Sequence, residues 1–512
     1  MSLSFLDIAL FLAFFIVAVG TSIYKSRKEE TGEDFFLAGR GLSWPLIGLS
    51  LIAANISTEH FVGMSGQGAG IAGMAVASYE WMAAITLVFV ALFFLPKFLQ
   101  SGIYTIPEYL EYRYNSIARA IMAFYTMVIY VFVTIAAVVY SGGLTLNTIF
   151  DMNLVHGVWL IGGIAALYAT WGGLKAVAWA DLFQGSALII GGIITMVFGF
   201  IAVGGVGSFF STNADKLHMI LPREHSVIPW TALVIGLWIP NFYYWGLNQF
   251  ITQRTLAAKS LREGQLGIIF AACLKLIIPF IIIFPGIMAA QLYSDQLSAT
   301  TDAAYPLLIR NLIPAGLRGF IFAAISGAVI SSLASMLNSA STIFTMDLYQ
   351  RHIKKDVAPR TLVTVGRTAT IIFVCIGCIL APQLGAERFR GIFNYIQEFQ
   401  GFISPGILAA FIFGLFSKRT PASAGITALV GSVPVYGILY WLFSDRMAFL
   451  NRMAITFVFL MVVMAVITVF YPLSEPKTMP VQKSFNMQRT PSIVFMGSAV
   501  IAVTILLYII FW

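Results

Sequence analysis

Two of this chain's long apolar segments are interrupted by polar residues near their middles. The first runs from Gly48 to Val62 and carries Asn55, Ser57, Thr58, Glu59 and His60; the second runs from Gly236 to Gln249 and carries Pro240, Asn241 and Asn248. A helix in hydrocarbon cannot leave backbone N–H and C=O groups unpaired, so such breaks survive only where they line a protein cavity. Matched breaks in the two halves of a chain are the best sequence pointer to a transporter's substrate and ion site, and they move the reading towards an ion-coupled carrier.

Hydrophobic residues make up 59% of the 512, charged residues 10%, and the mean hydropathy is +0.88. No soluble core needs that much apolar surface, which makes the fold class an all-α polytopic membrane protein. The segments are too long and too uniformly apolar for barrel strands. Windows of roughly 20 apolar residues give about fourteen transmembrane helices. They cover 4–24, 43–70, 73–97, 118–147, 154–170, 174–203, 228–250, 265–292, 316–346, 361–382, 391–416, 421–443, 453–471 and 493–511. Residues 1–25 lack a basic start and a small-residue cleavage site and read as a retained helix.

The net charge of +8 reflects loop lysines and arginines and not a nucleic-acid partner. These residues are dense on one side, with Arg254, Lys259, Arg262, Arg351, Lys354, Lys355, Lys418 and Arg419 among them. That side reads as cytoplasmic, with both termini outside. Compact length and short loops suggest a bacterial inner membrane. Cys273, Cys375 and Cys378 all lie in apolar runs and read as small buried hydrophobes. Spans two to six (43–203) and seven to eleven (228–416) overlay as five-helix halves, each beginning with its broken helix. An odd number of helices inverts the second half, giving a LeuT-type 5+5 inverted-repeat core in a single transmembrane domain. Residues 1–25 and 421–512 then supply peripheral helices.

Lys275 and Glu80 lie deep in spans eight and three. Each is costly in hydrocarbon and so faces a cavity or a partner. A sugar hydroxyl satisfies both, because it donates and accepts; a structural pair locking two helices is the competing reading. Asn55, His60, Asn241, Gln249 and Gln397 offer fixed donors and acceptors suited to polyols, and equally able to satisfy unwound backbone. Tyr79, Trp81, Tyr243, Tyr244 and Trp245 present rings for the apolar face of a sugar, for a gate, or for ordinary packing. Span nine carries Ser331 and Ser332 in a run of small residues. Their hydroxyls suit sodium if they meet carbonyls freed at the first break, at Ala53 and Ile56; close helix packing is the alternative. Asp181 reads either as a cation attractor or as a solvated helix-end charge. No paired aspartates, HExxH or Ser–His arrangement lies at membrane depth, so no enzyme is expected. A membrane sugar sensor finds no signalling domain in the sequence.

Several longer runs carry a resemblance: Phe36–Arg40, Ala53–Ser57, Ala77–Met82, Gly102–Glu108, Tyr243–Gln249, Gln253–Lys259 and Ser331–Ser339, in that order. Through them the chain resembles the sodium/solute symporters, and among those the sodium/glucose and sodium/galactose cotransporters, from first span to last. The resemblance implies a fourteen-helix inverted-repeat fold and sodium-coupled sugar uptake across the lipid bilayer. It implies a sodium site at the carbonyls of Ala53, Ile56 and Ala328 and the hydroxyls of Ser331 and Ser332. It places sugar at His60, Glu80, Asn241, Lys275 and Gln397, with Tyr244 as inner aromatic gate and Met64, Tyr79 and Phe393 as outer gate. Tyr243 and Trp245 flank that gate, and Asn55 joins the sugar contacts. His60, Ala83 and Thr134 depart from the bacterial galactose pattern, which leaves the hexose open and admits myo-inositol. Proton coupling and a non-sugar solute are the remaining alternatives.

Overall fold

A computed structural model describes residues 4–26, 37–57, 59–171, 174–298, 300–384, 392–482, 485–488 and 491–512. Among these residues the chain is helical with connecting loops, and the one extended pairing is the isolated bridge between Leu42 and Ala258. Helix is the state that satisfies every backbone group within its own segment, as hydrocarbon requires.

The helices used below are α1 (Phe5–Ser26), α2 (Trp44–Asn55), α3 (Ser65–Ala69), α4 (Ser78–Phe89), α5 (Ser116–Ile129), α6 (Ile135–Phe150), α7 (Leu154–Trp171) and α8 (Leu174–Ala202). The second half has α9 (Trp238–Phe242), α10 (Gln249–Leu256), α11 (Leu261–Tyr293), α12 (Leu317–Thr342) and α13 (Pro359–Leu380). It continues with α14 (Ile392–Gln400), α15 (Ser404–Phe416), α16 (Ala422–Phe443), α17 (Phe449–Phe470) and α18 (Ile493–Ile510). Among the described residues nine helices are long and apolar enough to cross a bilayer, and two bent pairs bring the number to 11. The bends are 58° between α2 and the segment ending in α3, and 48° between α14 and α15. The stretches Phe5–Ala18 and Leu154–Leu167 are shorter apolar helices. The expected span 228–250 is divided among short pieces. The expected loops 204–227 and 293–315 contain the short helices Val206–Thr212 and Ala304–Leu312.

Burial separates a core from a periphery. The α12 span is 94% buried, whereas the α16, α17 and α18 spans are each 22% buried. The broken first helix lies along α11 through glycines that allow backbone approach. A Cβ at Gly48 would stand 2.5 Å from the Phe270 ring, and one at Gly286 would stand 2.2 Å from the Ser65 carbonyl oxygen. Near its N-terminus α1 is pinned to α12: Asp7 Oδ1 accepts from the N–H groups of Gly316 and Gly319, both at 2.8 Å.

Two expectations are corrected. Cys378 is buried, but Cys375 is half-buried and Cys273 is exposed. An apolar run does not say which positions face protein and which face lipid, since both surroundings are apolar. Asp181 is no solvated helix-end charge: it is fully buried within α8.

Candidate substrate and ion site

The first break follows from the end of α2. The Ile56 N–H still donates to the Ile52 carbonyl at 2.7 Å, but the Ser57 N–H turns to the Asn55 carbonyl at 3.0 Å. The Ala53 carbonyl thereby loses its usual helical donor, the residue four positions on. The Ser332 hydroxyl of α12 instead lies 3.4 Å from the carbonyl oxygens of both Ala53 and Ala54. The freed Ala53 carbonyl, the adjacent Ala54 carbonyl and a neutral hydroxyl form an oxygen-rich corner suited to a hard monovalent cation. Ser331 turns elsewhere and donates to Asp181 Oδ1 at 2.5 Å. Asp181 Oδ2 accepts from Ser50 at 2.6 Å and from Arg254 at 3.0 Å, and Arg254 also donates to Ser335 at 3.1 Å. A buried acid–guanidinium pair therefore lies beside the oxygen corner, reached through Ser331.

The second break centres on Asn248, whose backbone is extended (φ −82°, ψ 122°) between the wide turn Tyr243–Leu247 and α10. Tyr130 of the wide turn between α5 and α6 donates its hydroxyl to Asn248 Oδ1 and accepts the Phe250 N–H at 3.2 Å, which stabilises the unwound backbone. Gln249 leaves the site: its side chain accepts the Ile106 N–H at 2.8 Å and donates to the Tyr104 carbonyl at 3.3 Å.

Between the breaks lies a cavity of about 50 Å³. Asn55, His60 and Met64 of the first broken helix line it with Tyr79 and Glu80 of α4. Pro240, Asn241, Tyr244 and Trp245 line it from the second, and Phe393, Ile396, Gln397 and Gln400 from α14. Thr134, Phe250 and Met336 complete the wall. That volume holds a few waters and not a pyranose ring.

Lys275 lies behind this wall, fully buried, and does not line the cavity. Its ammonium donates to Glu80 Oε2 and Asn55 Oδ1 and sits 4.8 Å from the Trp245 ring centroid. His60 Nε2 approaches the other Glu80 oxygen at 3.5 Å. These five residues join both broken helices, α4 and α11. Asn241 donates to the Leu237 carbonyl at 3.0 Å, leaving its own amide oxygen for the cavity. Among the described residues Gln397 Oε1 is buried with no partner, as is Gln400 Oε1 one turn on. Buried acceptors of that kind are costly unless another group meets them. Tyr79 and Phe393 meet edge to face at 4.8 Å at the cavity wall, which Met64 also lines. Tyr244 packs edge-on against Trp245 and Phe250 at 5.2 and 5.7 Å. Tyr243 is buried and does not line the cavity. Gln400 and Met336 were missed in the sequence, although each shares a helix face with a named residue, Gln397 and Ser332.

Residues 35–433 match the family model described as the sodium:solute symporter family. The sodium/glucose cotransporter of Vibrio parahaemolyticus is 42% identical, over 100% of this chain and 99% of its own length. The sodium/myo-inositol cotransporter 2 of Sus scrofa is 33% identical over 83% of this chain and 68% of its own. Among solved structures, the substrate-bound outward-open state of a Na+-coupled sialic acid symporter superimposes with a TM-score of 0.81 at 23% identity. It covers 93% of this chain and 99% of its own, and so shares the fold.

Proposed function

The chain belongs to the sodium:solute symporter family, and from that premise we propose that inward sodium flow drives uptake of a hexose through the site between its two broken helices. It is an integral membrane protein and a sodium-coupled sugar symporter. The observation that carries the site assignment is the small cavity between the two breaks. It holds the unpartnered Gln397 acceptor and the Glu80 carboxylate, and it stands one helix turn from the corner where Ser332 meets freed carbonyls.

Sodium, as cargo, takes the carbonyls of Ala53, Ile56 and Ala328 and the hydroxyls of Ser331 and Ser332. The facing of Ser332 and Ala53 supports this; Ser331 must first turn from Asp181. Binding there ties α2 to α12 and orders Asn55 and His60 at the next turn. Sugar then contacts His60, Glu80, Asn241, Gln397 and Asn55, with Lys275 acting through or beside Glu80. Its apolar face packs on Tyr244, while Met64, Tyr79 and Phe393 close the outer end and Tyr243 and Trp245 back the inner one. Because the cavity is too small for a ring, sugar entry requires the gates to part. Sodium and sugar favour a conformation only through unequal affinity for the alternatives.

Residues 43–203 and 228–416 act in this reading as inverted repeats that rock against each other about the site. The membrane is a bacterial inner membrane with both termini outside. Myo-inositol is the second reading, supported by the likeness to the porcine cotransporter. Labelled glucose, galactose and myo-inositol uptake into proteoliposomes, with and without an inward sodium gradient at fixed potential, tests the proposal. Gradient-dependent uptake of a hexose is expected. Uptake of myo-inositol alone would replace the hexose, and uptake driven equally by a proton gradient without sodium would overturn the coupling ion.

A further inference from the structure

The seam between α7 and α13 is closed at one end and open at the other. At the closed end a Cβ at Gly162 would stand 2.3 Å from Cys378 Sγ, and Cys378 Sγ approaches the Val158 carbonyl at 3.7 Å. Further along, Gly163, Ala166, Leu167 and Thr170 of α7 part from Arg367 and Ile371 of α13 around a groove of about 340 Å³. A Cβ at Gly163 would meet nothing within 4 Å. Thr170 donates its hydroxyl to the Leu167 carbonyl at 2.8 Å, so the groove walls are apolar apart from one group.

That group is Arg367. It is exposed and makes no hydrogen bond or ion pair among the described residues. It lies six residues into the apolar span Thr361–Gln383, about 9 Å along a helix axis. The surface around it faces lipid: Leu167 is 58% exposed, Ile371 53% and Val363 53%. The neighbouring helix end carries the basic residues Arg351, Lys354 and Lys355 and so belongs to the cytoplasmic side. A guanidinium at that depth is costly without an anion, and it snorkels toward the phosphate layer. Its fork matches phosphate oxygens two at a time.

We propose that this groove is a binding site for one anionic phospholipid of the cytoplasmic leaflet, its phosphate held by Arg367 and one acyl chain lying over Gly163 and Ala166. Charge complementarity selects the anionic class: a zwitterionic headgroup brings its own ammonium to the phosphate and gains less from the arginine. The small residues give the chain room. Basic pockets between helices at this membrane depth hold anionic headgroups on the same physical grounds. The site stands apart from the transport cavity and does not depend on which sugar is carried.

The test is native mass spectrometry of the full-length protein from mixed phosphatidylglycerol and phosphatidylethanolamine bilayers, comparing wild type with Arg367→Gln and Gly163→Leu. Size-exclusion chromatography establishes that each variant is folded and gives its oligomeric state. The wild type should retain one phosphatidylglycerol; Arg367→Gln should weaken that retention about five-fold, the factor that one basic residue's attraction for an anionic lipid is worth, and Gly163→Leu should weaken it by filling the space of the acyl chain. Equal phosphatidylglycerol retention in all three proteins would overturn the site, as would equal retention of the two lipids by wild type. A variant that converts a dimer to a monomer would instead make the groove an interface between copies and overturn the lipid assignment.

Discussion

At the scale of residues, function and stability pull on the same charges. Lys275 is buried with Glu80, Asn55 and Trp245, so Lys275→Met leaves the Glu80 carboxylate uncompensated. Removing one partner of such a pair costs about 3–5 kcal/mol. Thermal unfolding should show that loss, and the double variant Glu80→Gln/Lys275→Met should recover much of it. Sugar binding should stay lost in the double variant; if it returns with stability, the pair is structural and not a ligand contact. Ser332→Ala removes one hydroxyl from the corner with the Ala53 and Ala54 carbonyls. A single such contact is worth about 1 kcal/mol, or roughly five-fold in affinity. The sodium concentration for half-maximal uptake should rise by that factor, and sugar affinity should fall with it, since coupling between ligands is reciprocal.

At the scale of elements, the outer gate proposed above depends on what holds α14. Its N-terminal Ile392 N–H donates to Asp302 Oδ2 at 3.1 Å, and Gly66, in α3, has so little room that a Cβ would stand 2.8 Å from Asp302 Oδ1. Two turns on, Arg452 of α17 grips both oxygens of Glu398 at 2.7 and 2.6 Å, and Tyr436 of α16 donates to Glu398 at 2.6 Å. Arg452→Gln should release α14 and open the outer cavity. In a cysteine-free background, a cysteine placed at Gln397 should then label faster with a membrane-impermeant thiol reagent; an unchanged rate would show that the ion pair does not restrain the gate. Burial pushes the Asp302 carboxyl up to about 7, against the pull of the Ile392 N–H. A raised carboxyl pKa means the closed gate binds a proton more tightly than a hydrated, opened one. Closure is therefore favoured as pH falls from about 7 toward the ordinary aspartate range, and the effect is flat above 7. Labelling should slow between pH 7.5 and 5.5 by more than the falling thiolate fraction accounts for, and Asp302→Asn should remove that excess and leave only the thiolate dependence.

At the scale of the molecule, the driving force is the membrane as much as the site. One elementary charge moved through 100 mV is worth about 2.3 kcal/mol, which is roughly a fifty-fold ratio. Imposing 100 mV, inside negative, on sugar-loaded proteoliposomes should raise the limiting accumulation ratio by that factor for each sodium carried. Independence from potential would mean that no net charge crosses with the sugar. Burial divides the helices: 94% of the α12 span is buried, whereas only 22% of each of the α16, α17 and α18 spans is.

How far the sequence determined this protein follows from which forces act locally. The all-helical, membrane-spanning class, the two breaks and the depth of Glu80 and Lys275 were legible because backbone satisfaction in hydrocarbon and the cost of buried charge act on each segment alone. The partnering of those charges was not. Two spans listing the same polar residues can present them to each other, to a third helix or to backbone, depending on rotation and crossing angle. Tertiary packing decided that Lys275 stands behind the cavity wall, that Ser331 turns to a buried Asp181, that Tyr243 and Gln249 leave the site, and that Gln400 joins it. It also decided which cysteine faces lipid. Apolar sequence is the same whether it meets protein or acyl chain, and only the arrangement of neighbours tells the two apart.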